Sequence, residues 1–180
     1  ENIGFRDSSD AANVATGGIT MRRNNFTMIK HCSFNEFSVG TAINFTADEY
    51  SINCTVKDSL IHDCKQGIVA GKTIILNIDS TWINEGTTHA GVVEEGVFLK
   101  DALSTKLHKV YFDKAAVGIQ VGVAGSEAFR TDIEGCRFES CTLAVDFVLA
   151  TDASLSKSYF MPLNTNHFRI ATGGDCEKVQ

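Results

Sequence analysis

Glu36, Asp63 and Glu85 share one slot of a repeating chain, with Lys114 next in line, and Asp79 lies one strand away from Glu85. Carboxylates stacked about 5 Å apart repel one another, and at least one of them then holds its proton more tightly. A protonated acid beside an ionised one is the equipment of glycoside hydrolysis, where the two groups stand roughly 5–9 Å apart. Glu85 is the first candidate for the acid and Asp79 for its partner, with Asp63 and Glu36 in reserve. Asn35, His62 and Asn84 lie next to these acids and could orient a substrate or ladder a turn.

A second set reads as a binding surface. Trp82, Tyr111, Arg137 and Tyr159 recur in one slot of the pattern set out below, with Ser33 and Leu60 before them. Alternation against apolar neighbours points this slot outward. An indole and a phenol side by side offer a flat apolar platform while their N–H and O–H stay wet, which suits the face of a sugar ring. His108 occupies a neighbouring slot with Lys30, Lys57, Asp79 and Glu134, and joins the candidates for substrate contact. The competing reading for the aromatic slot is packing under a loop or against a partner chain. For the acid slot it is a solvated corner.

What positions these residues is a repeat. An aliphatic residue is followed three places later by a small residue or Cys, and two places after that by a large apolar one. The phrase appears as Ile29-Lys30-His31-Cys32-Ser33-Phe34 and returns from Val56, Ile78, Leu107, Ile133 and Leu155. The distance between its two anchors is five in all six copies, while the steps between copies run 27, 22, 29, 26 and 22. A constant core with variable connections is the mark of stacked coils whose insertions collect at corners. Further slots keep the register. Phe37, Cys64, Ala115, Cys141 and Leu163 lie three past the second anchor, and Gly67-Ile68, Gly118-Ile119 and Ala144-Val145 follow. Gly18-Ile19 and Gly96-Val97 look like the same strand in the first and fourth coils. Three alternating runs per coil, with Asn, Asp, Ser and Gly between them, predict strands and turns rather than helix. The fold expected is all-β, a right-handed parallel β-helix of about seven coils. The longest insertion, Asn84 to Thr105, would hold His89, Glu94 and Glu95.

Phrases such as Ile133-Glu134-Gly135-Cys136-Arg137-Phe138 and Gly118-Ile119-Gln120-Val121 resemble coils of the pectate-lyase-like superfamily of β-helices. That group includes polysaccharide lyases, polygalacturonases and phage tailspikes, and the resemblance spans residues 15 to 170. The Asn-x-Asp and Asp-Asp pairs of polygalacturonases have no counterpart here. Uneven coils and abundant cysteine resemble tailspikes more closely. The resemblance implies a carbohydrate-contacting β-helix that cleaves a bacterial surface polysaccharide by hydrolysis. The alternatives are a non-catalytic attachment spike or a lyase, for which Lys57, Lys109, Lys114 and Arg137 are the available cations. It also implies a homotrimer, placed on a virion tail or secreted after assembly in a reducing cytoplasm, with polysaccharide as the partner and no cofactor.

Composition narrows the rest. At 180 residues with one Pro, the chain 1–180 suits a single domain with a substantial core. Because it enters the strand-like Asn2-Ile3-Gly4-Phe5 at once, it is expected to be a piece of a longer chain. A net charge of -6 and no basic run beyond Arg22-Arg23 argue against nucleic acid. No apolar stretch reaches the roughly 18 residues of a membrane helix. Of six cysteines, Cys32 and Cys136 share one slot and Cys64 and Cys141 another, coils too far apart for a disulfide. Cys136 and Cys141 lie in one coil and remain a geometric option. Core packing is the reading preferred for the thiols. No Cys/His set has zinc spacing, so no metal is expected. The sequons at Asn25, Asn44 and Asn53 are read as coincidence in an Asn- and Thr-rich chain.

Overall fold

A computed structural model of the chain describes residues 3–6, 17–37, 39–84, 93–170 and 178–179. Every strand pairing among the named strands is parallel, and the strands stack as a β-solenoid of about six turns, close to the seven expected. One seven-stranded sheet runs in the order Ile3–Arg6, Cys32–Asn35, Leu60–His62, Trp82–Asn84, Tyr111–Asp113, Arg137–Glu139, Tyr159–Phe160. The other strands form a thirteen-stranded sheet that covers two faces, because Gln66–Asp79 and Val93–His108 continue through the bend between them.

The repeat phrase becomes two interior ladders. First anchors Ile29, Val56, Ile78, Leu107, Ile133 and Leu155 stack in register. Second anchors Phe34, Ile61, Ile83, Phe112, Phe138 and Phe160 do the same, continuing Phe5. All of these except Phe160 and Phe5 are buried in one core. The slot between them holds Cys32, Ser59, Thr81, Val110, Cys136 and Ser158, and its two serines tie coil to coil. Ser59 Oγ accepts from the Cys32 amide at 3.3 Å, and Ser158 Oγ accepts from the Cys136 amide at 3.2 Å. Glycine recurs ahead of the branched strand residue for a steric reason. A Cβ on Gly96 would lie 2.6 Å from both the Gly118 carbonyl oxygen and the Phe112 ring, so only hydrogen fits beneath the aromatic ladder.

Each coil turns at single residues in the left-handed region. His31, Asp58, Ser80, Lys109, Gly135 and Lys157 form the first corner, with φ between 48° and 65°. Glu36, Asp63, Lys114 and Ser140 form the second. Phe26, Asn53, Ile75, Ser104, Arg130 and Asp152 form a third, of which Ile75 and Ser104 fall inside the two longest strands. The flipped residue keeps its place in the backbone ladder, as when the Ser80 amide donates to the His108 carbonyl at 3.0 Å. The cost of φ > 0, about 1–2 kcal/mol per residue, is offset by a turn that interrupts no interstrand bond.

Two expectations change, and one open option closes. The long insertion contracts, because Val93–His108 is one 16-residue strand. Its Glu95 accepts a hydrogen bond from Gln66 at 2.8 Å, and Glu94 pairs with Lys65 at 3.5 Å. Leu163 does not fill the slot of Phe37 and Cys141, being 69% exposed. Asn164 does, its Oδ1 accepting from the Cys141 amide at 2.8 Å and its Nδ2 donating to the Phe138 carbonyl at 3.0 Å. Disulfide options close among the described residues: Cys32, Cys54, Cys64, Cys136 and Cys141 are all free thiols. Burial pushes Cys64 and Cys136 up to about 12 and Cys141 to about 11, so these are inert core groups. Cys176 and Gly86 lie outside the described residues.

Candidate functional site

The seven-stranded sheet presents its outward ladder as Ser33, Leu60, Trp82, Tyr111, Arg137 and Tyr159, each opposite the next. Period-2 alternation turns Ile83, Phe112 and Phe138 into the core, so their neighbours must face out. Trp82 is 48% exposed and Tyr159 59%. The Trp82 and Tyr111 rings meet edge to face, centroids 5.0 Å apart at 77°. The Arg137 guanidinium lies over the Tyr111 ring, 5.1 Å from its centre. This is an aromatic strip closed at one end by a cation. Two open grooves flank Trp82, of about 430 and 450 Å³, and they share Ser80 and Trp82 in their walls.

The next outward ladder on the same strands reads Asn35, His62, Asn84, Asp113 and Glu139. Its last two members are carboxylates on adjacent strands, their backbones one strand spacing of about 4.8 Å apart. Burial raises the Asp113 carboxyl above its usual range; Lys114 opposes that and Glu139 adds to it. Glu139 is held from both sides. The Tyr111 hydroxyl donates to its Oε2, and Arg137 Nη2 reaches the same oxygen at 3.2 Å. Burial and that carboxylate together push the Tyr111 phenol up to about 12. Sequence reasoning reached Asn35, His62 and Asn84 and stopped. Following the slot two coils further would have found the pair.

No family model, curated protein or solved structure matches the chain. Its chemistry is therefore read from its own residues.

The four acids singled out from the sequence fare differently. Glu85 lies outside the described residues, as does His89. Glu36 and Asp63 occupy second-corner positions, and Asp63 is no outward acid: it is 5% exposed, with His62 Nε2 3.1 Å from its carboxylate. Asp79 belongs to the outward ladder Lys30, Lys57, Asp79, His108, Glu134 on the adjoining face. Lys57 Nζ donates to it at 2.8 Å and His108 Nδ1 lies at 3.0 Å. His108 is thus tied to Asp79 and stands apart from the aromatic strip. Glu134 is bonded likewise by Lys157 at 2.8 Å. Among the described residues, no group of three or more His, Cys, Asp and Glu is placed to hold a metal ion.

The Lys57 hydrogen bond is the largest cause lowering the Asp79 carboxyl to about 2. Since the folded value lies below the unfolded one near 4, Asp79 contributes stability that is present above about pH 4 and is lost as the pH falls toward 2. Lys57→Met, which removes the largest cause, is expected to move acid unfolding to higher pH. Circular dichroism across pH 2 to 5 reads the shift, and an unmoved midpoint would show that the pair adds nothing.

Proposed function

We propose that this β-solenoid is a glycan-binding segment of a polysaccharide depolymerase of the tailspike kind, hydrolysing glycosidic bonds of a bacterial surface polysaccharide. The observation that carries the reading is the exposed Trp82–Tyr111–Arg137 strip with a groove on each side. A soluble β-surface seldom leaves indole, phenol and guanidinium stacked in the open. Sugar rings, apolar on their faces and polar at their rims, match it. The strip also lies two residues along the strand from Asp113 and Glu139, so a bound glycan would pass over a carboxylate pair.

In the cleavage step this pair suggests, Glu139 bonds to the anomeric carbon as the glycosidic C–O bond breaks, and Asp113 gives its proton to the departing oxygen, which leaves as a sugar hydroxyl. Water then displaces Glu139 and returns its proton to Asp113. Carboxyl groups that keep the backbone spacing of about 4.8 Å stand near the roughly 5–5.5 Å of retaining enzymes, so the product should keep its anomeric configuration. The alternative is a non-catalytic attachment spike. The observation favouring it is that Asp79 and Glu134 are already neutralised by lysines, as in a purely structural charge ladder. The tailspike reading also brings a homotrimer on a virion, which sedimentation of the purified protein would reveal.

The test is incubation with purified capsule and O-antigen polysaccharides, followed by size analysis of the glycan. Shortening establishes a depolymerase, and an absorbing unsaturated product would make it a lyase. Binding without shortening makes it an attachment module, and neither would sink the glycan reading. Trp82→Ala is expected to weaken glycan binding by about thirtyfold, the scale of roughly 2 kcal/mol for a truncated aromatic hot spot. Unchanged affinity would remove the strip from the binding surface.

A further inference from the structure

The geometry points to an acidic glycan as the occupant of the Trp82 groove, its anionic substituent held between Lys109 and Arg137. The inference rests on the glycan reading and adds what kind of sugar the strip selects. The groove on the Tyr111 side is lined by Ser80, Thr81, Trp82, Lys109, Tyr111 and Arg137. Two cations and no carboxylate stand there, although the chain carries 22 acidic against 16 basic residues. That local reversal of sign is what an anion-binding surface needs.

Both cations are placed to accept a ligand. Lys109 is an exposed corner residue, and among the described residues no carboxylate is paired with it. Elsewhere on the solenoid several cations are spent on partners: Lys57 on Asp79, Lys157 on Glu134, Arg130 on Asp152. Arg137 is anchored from below by the Tyr111 ring and at Nη2 by Glu139, which fixes its plane before any ligand arrives. A guanidinium has five N–H donors, so most of the fork stays open toward the groove. Pre-orientation of this kind lowers the entropy lost on binding.

The groove on the other side of Trp82 has the opposite character. Its walls are His31, Cys32, Ser33, Asp58, Ser59, Leu60, Ser80 and Trp82, with one carboxylate and no Lys or Arg. Hydroxyls of a neutral sugar suit Asp58 and the serines there. A polymer lying along the aromatic strip would therefore place its charged residue on the Tyr111 side of Trp82 and an uncharged one on the Leu60 side.

The experiment titrates the whole protein with polygalacturonate, alginate, hyaluronan, polysialic acid and purified acidic capsules, each beside its carboxyl-reduced form. At least one acidic polymer should bind about tenfold more tightly than its reduced form, the scale of one charge-assisted hydrogen bond. The preference should fade with added salt. Lys109→Gln, on an exposed corner, should remove most of it, and Lys106→Gln, outside the groove, should leave it in place. Equal binding of acidic and reduced polymers, with Lys109→Gln unchanged, overturns the inference and leaves the glycan reading standing. Equal losses from Lys109→Gln and Lys106→Gln mean general attraction and also overturn it. Failure of every acidic, reduced and neutral polymer to bind overturns both.

Discussion

Asp113→Asn is expected to slow glycan cleavage by more than about a hundredfold, the scale of a lost general acid, while binding and folding persist. The asparagine is nearly isosteric and carries no ionisable proton, so it removes donation and little else. Asp113 is suited to the role because burial holds its proton and the Glu139 carboxylate across the strand holds it further. A raised acid works below its own pKa, so cleavage should decline as pH rises through that value. Removing the neighbouring negative charge with Glu139→Gln lowers the Asp113 pKa and should draw the alkaline limb to lower pH, besides costing the nucleophile. Reducing-end release across pH, alongside a thermal melt, measures all three effects. Full cleavage by Asp113→Asn would eliminate the pair as acid and partner. If Glu85→Gln abolished cleavage in the same series, the acid would be Glu85.

The core was legible in the sequence because its spacing is rigid. The two anchors stand five positions apart in all six copies, and each anchor ladder appears in register. The outward aromatic ladder was legible for the same reason, since alternation within a strand fixes which side chains face out. Corners broke the reading. Glu36 and Asp63 were read as outward corner acids two places past a buried anchor, although alternation continued from Phe34 and Ile61 aims that slot inward. That is why Asp63 lies inward beside His62 instead of facing a substrate. At the third corner the residue types gave little warning. Asn53, Ser104 and Asp152 are ordinary occupants of a left-handed turn, but Phe26, Ile75 and Arg130 are not. A β-branched residue at φ 61°, as Ile75 is, carries no turn signal. The 14- and 16-residue strands that bend there could not be read as single elements. Asp113 and Glu139 were missed differently: their slot opens with three uncharged or weakly charged side chains, so no ladder of acids announces them.

Phe138→Ala is expected to cost about 3–5 kcal/mol, the range for a buried aromatic truncated to Ala. The ring is fully buried between two others, stacked 5.0 Å from Phe112 at 4° and 5.2 Å from Phe160 at 8°. Its lower edge lies against Gly118, so there is no flexible side chain beneath to fall into the space. Typical domains have only about 5–15 kcal/mol in total, and in a solenoid each turn is held chiefly by its neighbours. The loss should therefore appear as early unfolding of the turns after Arg137, ahead of those before Tyr111, and denaturant melts should lose two-state form. The consequence for the site is direct. Phe138 sits between Arg137 and Glu139 on one three-residue strand, and its burial is what aims those two side chains outward. Glycan binding should fall in Phe138→Ala at temperatures where the chain is still folded, whereas Phe138→Leu, which refills most of the volume, should restore it. A melt displaced by 3 kcal/mol or more with affinity unchanged would show that the strip does not depend on the core ladder behind it. Loss of both together would show that the same alternation that builds the core also aims the binding surface.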